Sequence, residues 1–217
     1  MLFILCALLF AGLAIREIHG GMRAVEPKPV YAPYLVLVSA LALAFAWPPF
    51  RDWRFERRLE SRAVMLTDGK PVSVHCNTLF DTMLDPNVFA AGHADPATSE
   101  IVFQKPWCSV LRAYLRKPQD ADDRELASLN LFTHEAMHVR GELNEVATEC
   151  QAVQRNHRAA RLLGVPEAVA AESARAYYRG VYASRRNQGS LSRSYYSDEC
   201  APGRALDERL PDAVWKP

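Results

Sequence analysis

Between Thr133 and Gln151 the chain reads THEAMHVRGELNEVATECQ. Within it, His134-Glu135-Ala136-Met137-His138 sets two imidazoles four residues apart with a glutamate beside the first. On a helix, residues four apart stand one above the other, so His134 and His138 can close on one metal ion. This is the HExxH pattern, in which two histidines bind Zn²⁺ and the glutamate, here Glu135, takes a proton from metal-bound water. The bland alternative is a pair of core histidines satisfied by hydrogen bonds. The flanks weigh against it: Leu126, Leu129, Leu131, Phe132, Ala136, Met137 and Val139 make the helix apolar on most sides. A buried helix that carries two histidines and a glutamate needs something to satisfy them, and a metal does so at once.

A catalytic zinc takes three protein ligands and keeps one position open. Asn144-Glu145-Val146-Ala147-Thr148-Glu149 supplies two candidates, again four apart and on one face of what reads as the next helix. One can bind the metal while the other accepts a hydrogen bond from the non-ligating nitrogen of a ligand histidine. The competing reading is a solvated acidic face with Arg155 and Arg158 nearby. His75 and His93 each sit alone in strand-like surroundings and are left out of the site.

The elements that must position these residues can be read outward from the motif. Asp122, with Glu125 three residues on, marks the start of a helix over Asp123–Arg140, and Gly141 ends or bends it. A second helix is expected over Glu142–Leu163, stopped by Gly164, and a third from Pro166 to about Arg186. Upstream, Val64–Leu66 and Pro71–Cys76 flank Asp68-Gly69 and predict a hairpin. Val88–His93 and Glu100–Gln104 read as paired strands around a loop at Ala94–Ser99, followed by a short helix over Cys108–Arg116 and a loop over Pro118–Ala121. From Asn187 to Pro217 the chain is Gly, Ser and Pro rich, expected to wrap the domain and to be tied down by Cys200 and Trp215.

With these pieces in view the sequence resembles the zincin metallopeptidases, specifically the glutamate-ligand branch that includes thermolysin. That branch pairs HExxH with a later helix carrying Asn-Glu-x-x-Ser-Asp or Glu-x-x-Ala-Asp, to which Asn144–Glu149 is similar position by position. The resemblance implies zinc ligation by His134, His138 and Glu145, a supporting role or alternative ligation by Glu149, and Glu135 as general base. Only six residues separate His138 from Glu145, a shorter hop than in that branch, and with Gly141 the spacing looks more like HExxHxxGxxH of the metzincins. In that register the third ligand would fall on Asn144, and no methionine follows Met137 for a Met-turn. The chain also resembles bacterial membrane-anchored or exported HExxH proteins with a following Glu-Cys and a late Tyr-x-x-x-Glu-Cys, as at Tyr195–Cys200.

The fold expected from this is α+β: a zincin-like domain with a small antiparallel sheet and three main helices. The resemblance implies hydrolysis of a peptide or protein substrate held as an added strand along Val88–His93 or Glu100–Gln104. An oxyanion partner is expected too; Tyr177, Tyr178, Tyr182 and His157 lie on later helices, but tyrosines at helical spacing are more often packing.

The 217 residues, 49% hydrophobic and 24% charged, suffice for one such domain over residues 63–217 plus an N-terminal segment. A net charge of +1 gives no electrostatic reason to expect nucleic acid. Met1–Ile15 and Val30–Phe50 are uncharged apolar runs. The second is long enough for a hydrocarbon core of about 30 Å and the first is short for it. Residues 1–50 thus read as one or two transmembrane helices, and Arg51–Arg62 as a charged juxtamembrane helix or linker. A start at Met22 with a signal-type segment around Ala44-Phe45-Ala46 is the competing reading, and retained anchoring is favoured.

Arg51, Arg54, Arg57, Arg58 and Arg62 after the second run place the domain in the cytoplasm by the positive-inside rule. Cys76, Cys108, Cys150 and Cys200, an even number without CxxC spacing, point instead to disulfides and an oxidising exterior, the reading favoured here. Order along the chain pairs Cys76 with Cys108 and Cys150 with Cys200. The reading from another class is a disulfide-stapled, membrane-anchored interaction domain with a structural zinc, or an inactive peptidase fold.

Overall fold

The computed structural model describes residues 2–23 and 31–214. Lys28 and Val30 of the apolar N-terminal reading, and Trp215 of the tail, lie outside the described residues. The chain divides into two compact units, 1–55 and 56–217.

The first unit holds helix α1 (Leu2–Arg23) and most of α2 (Ala32–Ala63). Both are long and apolar enough to cross a membrane, and their apolar windows are 0% and 6% buried, so neither serves as the core helix of a folded domain. The first apolar run, short by itself, belongs to a helix of 22 residues, about 33 Å at the helical rise. The Phe10 and Phe45 rings stack between the two helices at 5.6 Å.

The second unit contains a three-stranded sheet of β1 (Ser73–Cys76), β2 (Gly92–Asp95) and β3 (Glu100–Phe103) in the order β1-β3-β2. Its helices are α3 (Leu79–Leu84), α4 (Trp107–Arg116), α5 (Asp123–Arg140), α6 (Glu145–Leu162), α7 (Glu167–Tyr177) and the short α8 (Ser190–Arg193). The sheet is mixed rather than antiparallel: β2 pairs antiparallel with β3, but β1 pairs parallel with it, Val74 opposite Ile101.

The expected hairpin over Val64–Cys76 does not form. Val64–Thr67 continue the end of α2, with the Val64 N–H donating to the Glu60 carbonyl and the Thr67 N–H to that of Ala63. The outer edge of β1 finds other partners. Two glutamates one turn apart on α2 accept its N–H groups, Glu60 from Val74 (3.3 Å) and Glu56 from Cys76 (2.8 Å). With those donors satisfied, a second strand on that side is not needed.

The strand expected over Val88–His93 starts four residues later, at Gly92. Val88 and Ala90 spend their N–H groups on turns back to Asp85 and Asn87. The second helix likewise begins at Glu145 rather than Glu142, because Asn144 caps it: its side chain accepts from the Ala147 N–H at 3.0 Å. The third ends at Tyr177, beyond which Tyr178–Tyr182 form a π-helical turn and Arg185–Asn187 a 3₁₀ turn.

Helix α5 is the centre of the unit. Its capping box is complete, with Asp122 accepting from the Glu125 N–H (2.8 Å) and Glu125 from the Asp122 N–H (3.2 Å), a device contributing about 1 kcal/mol. It packs against α4, α6, α7, β2 and β3. Leu129, Phe132, Ala136, Met137 and Val139 meet Ile101, Phe103, Leu111, Tyr114, Val153 and Tyr177 in the fully buried core. Gly141, at φ +124°, stops α5 and turns the chain so sharply that only three residues separate it from the start of α6 at Glu145.

Candidate metal centre

That short connection sets the first turn of α6 beside the last turns of α5. His134, His138 and Glu145 converge there, each offering one ligand atom, and together they form a group that can hold a metal ion. Nε2 of His134 lies 3.1 Å from Nε2 of His138 and 3.2 Å from Oε2 of Glu145, and the third side of the triangle, His138 to Glu145, is 3.4 Å.

Both imidazoles are oriented from behind. The His134 Nδ1–H donates to Oε2 of Glu149 at 2.9 Å, and the His138 Nδ1–H donates to the Glu142 carbonyl at 2.8 Å, which the turn at Gly141 brings into reach. Fixing the proton on Nδ1 leaves the Nε2 lone pair of each ring aimed into the triangle. The 3.1 Å approach of the two Nε2 atoms is satisfied by a proton carried on His134 or by a cation held in the triangle.

Glu149 is 1% exposed and is the hub of a buried network. Besides His134 it accepts from Asn130 Nδ2 at 2.9 and 3.1 Å and from the Tyr177 hydroxyl at 2.7 Å, and it pairs with the Arg185 guanidinium at 2.8 Å. Asn156 holds Asn130 in turn, at 2.9 Å. Burial pushes the Glu149 carboxyl up, but His134, Arg185 and Tyr177 outweigh it and hold the group well below the usual carboxylate range. Burial lowers His134, but the hydrogen bonds of Glu145 and Glu149 outweigh it and raise the imidazole.

Glu135 differs from both acids. Its Oε2 is buried and has no hydrogen-bond partner among the described residues, and burial pushes its carboxyl up to about 7. A buried carboxylate oxygen without a partner costs stability and calls for a water, an ion or a role in a site to account for it. Gly92 at the start of β2 backs it: a Cβ there would lie 2.9 Å from the Val102 carbonyl, 3.3 Å from the Phe103 ring and 3.5 Å from Oε1 of Glu135. Only glycine lets the edge strand pass this close.

His134, Glu135 and Glu149 line a cleft of about 540 Å³ whose other walls include Phe89, Ala91, Trp107, Leu131, Arg185 and Tyr195. The sequence reading missed three residues here. Asn130 precedes His134 by one helical turn, a polar residue on an otherwise apolar face, and that was a usable signal. Tyr195 was read only as part of the Tyr-x-x-x-Glu-Cys stretch and Arg185 only as the end of the third helix, with no signal that either faces the motif. The Tyr195 ring lies 5.7 Å from that of His134, and the Arg185 guanidinium sits over Tyr195 at 5.5 Å.

Tyr177, Tyr178, Tyr182 and His157 are engaged elsewhere. The three tyrosine hydroxyls donate to Glu149 and to the carbonyls of Cys200 and Ser197, and His157 is held between Glu167 and the Asp212 carbonyl. His75 faces Glu56 at 3.5 Å and His93 lies 4.0 Å from Asp85; neither belongs to the metal-binding group.

The two disulfides are Cys76–Cys108 and Cys150–Cys200, the pairing that chain order favours, and Cys6 is free. The second joins the residue after Glu149 to the segment that carries Tyr195. From there the tail follows α6: Gln154 donates to the Leu206 carbonyl and accepts from the Glu208 N–H, Arg155 pairs with Glu208, and Arg158 with Asp212. No protein-family model, no curated protein and no solved structure matches the chain.

Proposed function

We propose that the chain is a membrane-anchored, zinc-dependent peptidase of zincin type, its catalytic unit outside the cytoplasm. The observation that carries this reading is the donor triangle beside Glu135. Zinc bonds of about 2.0–2.1 Å in a tetrahedral site require neighbouring donors about 3.3–3.4 Å apart, and the three sides measure 3.1, 3.2 and 3.4 Å. Two imidazoles and one carboxylate suit zinc, and three protein donors leave a fourth position open. Charge supports the same reading: Glu135, Glu145 and Glu149 converge on this spot with Arg185 as the nearby guanidinium.

Bound there, zinc would act as a Lewis acid and make a water nucleophilic near neutral pH. The chain's own residues do the rest. Glu135, with its Oε2 unpartnered, accepts the proton of the attacking water and returns it to the leaving amine. Tyr195 lines the cleft with its ring 5.7 Å from that of His134, and burial and the nearby acids keep its hydroxyl protonated and able to donate to a developing oxyanion. Of the two segments expected to receive substrate as an added strand, Glu100–Gln104 is excluded, since β3 already has a neighbour on each side. The edge strand β2, beginning beside Glu135, is the one that can take it.

The exterior location rests on the two disulfides, and the anchoring on α1 and α2. A structural zinc closed by four ligands is the weaker reading, because Glu149 spends Oε2 on the far nitrogen of His134 instead of joining the triangle. The test is metal analysis and peptide hydrolysis on the purified full chain. Wild type binds one zinc per chain and hydrolyses peptide, Glu135→Gln keeps the zinc and loses hydrolysis, and His138→Ala loses both. Loss of zinc in Glu135→Gln, or hydrolysis that persists in it, overturns the assignment.

A further inference from the structure

Helix α3 is inside out. Its Thr82 is buried, accepting from the Lys105 N–H at 3.0 Å, while Leu79, Phe80, Met83 and Leu84 are between 63% and 69% exposed. Positions i, i+1, i+4 and i+5 share one face, so the four form a single apolar surface. Phe89, just downstream, is fully exposed as well. Among the described residues of the second unit, the other exposed large apolar side chains are Met65 and Leu143, so five of seven fall within eleven residues of chain. Such concentration in a water-facing surface marks a binding face.

We propose that this face rests in the interfacial layer of a phospholipid bilayer, an inference that depends on the anchoring of α1 and α2. Three observations favour lipid over a protein partner. The four side chains of α3 are exposed, and they are Leu, Phe and Met, without the Tyr, Trp or Arg that anchor protein interfaces. The polar groups of the segment satisfy one another. Asp81 accepts from the Thr78 N–H and hydroxyl at 3.0 and 2.7 Å, and Asp85 from Asn77 and the Asn87 N–H at 3.1 and 2.7 Å, so partial withdrawal from water strands few donors or acceptors.

Chain length supplies the third. The apolar run of α2 ends at Phe50 and the folded unit begins at Glu56. Those six steps reach at most about 20 Å in any conformation, so an anchored chain keeps the unit at the bilayer surface. Phe89 belongs both to this apolar stretch and to the wall of the cleft that holds Glu135, and the edge strand β2 follows it three residues later. A cleft mouth at the lipid surface selects its substrate class: polypeptide segments that lie on the bilayer or emerge from it, rather than chains free in solution.

The test uses the full chain in vesicles of phosphatidylcholine and phosphatidylglycerol, with Phe80 or Met83 replaced singly by photoreactive p-benzoylphenylalanine and Glu172 on α7 replaced as the control. Irradiation is expected to yield lipid adducts at positions 80 and 83, detected by mass, and at least tenfold fewer at 172. Adducts to polypeptide instead of lipid, or equal lipid adducts at all three positions, overturn the inference. An alkaline carbonate wash separates it from the anchoring it rests on. Release of the chain from the vesicles overturns both, while retention without lipid adducts overturns the docked face alone.

Discussion

Glu145 and Glu149 stand four residues apart on one helix, yet their surroundings predict opposite consequences of losing each charge. The Glu149 side chain is 2% exposed and every group around it is a donor: His134 Nδ1, Asn130 Nδ2, the Tyr177 hydroxyl and Arg185. In Glu149→Gln the new amide NH₂ finds as acceptor at most the Tyr177 hydroxyl oxygen, which already accepts from Arg185 at 3.0 Å, and Arg185 loses its counter-charge. Leaving a buried charge unpaired costs about 3–5 kcal/mol. Arg185 keeps 20% of its side chain exposed, so water recovers part of this and a loss of about 2–4 kcal/mol is expected. The Glu145 side chain is 47% exposed and, among the described residues, reaches only His134 and His138, so Glu145→Gln should change stability by at most about 1 kcal/mol. Metal affinity should rank the other way: about 10 to 100-fold weaker for Glu149→Gln, which loosens the orientation of His134, and weaker still for Glu145→Gln, which removes a donor of the triangle. The measurements are urea unfolding of the chelator-treated protein with disulfides intact, and zinc affinity by competition with a chelator. Equal metal losses, or a Glu149→Gln protein as stable as wild type, would refute the division of roles.

Three further outcomes follow from the same geometry. Gly92→Ala drives a Cβ to 2.9 Å from the Val102 carbonyl, so β2 must shift away from β3 and Glu135; hydrolysis should fall while zinc content stays at one per chain, at a stability cost of about 1–3 kcal/mol by denaturant unfolding. Tyr195→Phe removes the hydroxyl of a cleft-lining ring and should lower kcat by about 10² to 10³-fold with KM and zinc content unchanged, measured by steady-state kinetics; an equal fall in zinc content would make the residue structural. Cys150→Ser with Cys200→Ser frees the tail from α6 and should cost about 2–4 kcal/mol by denaturant unfolding, with hydrolysis lowered through Tyr195. A double variant as stable as wild type would show that the pairing of the tail with Arg155 and Arg158 suffices by itself.

What could be read from the sequence was what local chemistry decides. The capping box at Asp122 and Glu125, the stop at Gly141 and the four-residue spacings on α5 and α6 each depend on neighbours within one turn, and all are present. The strands were legible only in part, because pairing is a non-local choice. Nothing within Ser73–Cys76 indicates that Glu56 and Glu60, a dozen or more residues earlier, will occupy its outer edge and leave β3 as its partner. The roles of Arg185 and Tyr195 were not legible for a related reason: the first was read as the end of a helix and the second as part of a Tyr-x-x-x-Glu-Cys stretch, while the path that brings them to the cleft is set by pairwise contacts such as Arg155 with Glu208. The cysteines were the exception among long-range features, since four residues admit only three pairings and chain order favoured the one observed.

The arrangement around His134 also bears on why a folded chain would keep such a site. Without a cation the triangle holds two facing imidazole lone pairs and a carboxylate, with two more carboxylates close by, and a protonated His134 can relieve only part of that conflict. Each histidine is pinned through Nδ1, so relaxation falls to the half-exposed Glu145 side chain. A structural site would gain nothing from a further buried acid with an unpartnered oxygen facing a cleft. Glu135 is that acid, and β2 is thinned to glycine at the point where it passes Glu135. On the reading proposed above, ligands held in place before the metal arrives, next to a buried acid with an unpartnered oxygen, are what a site organised for reaction requires.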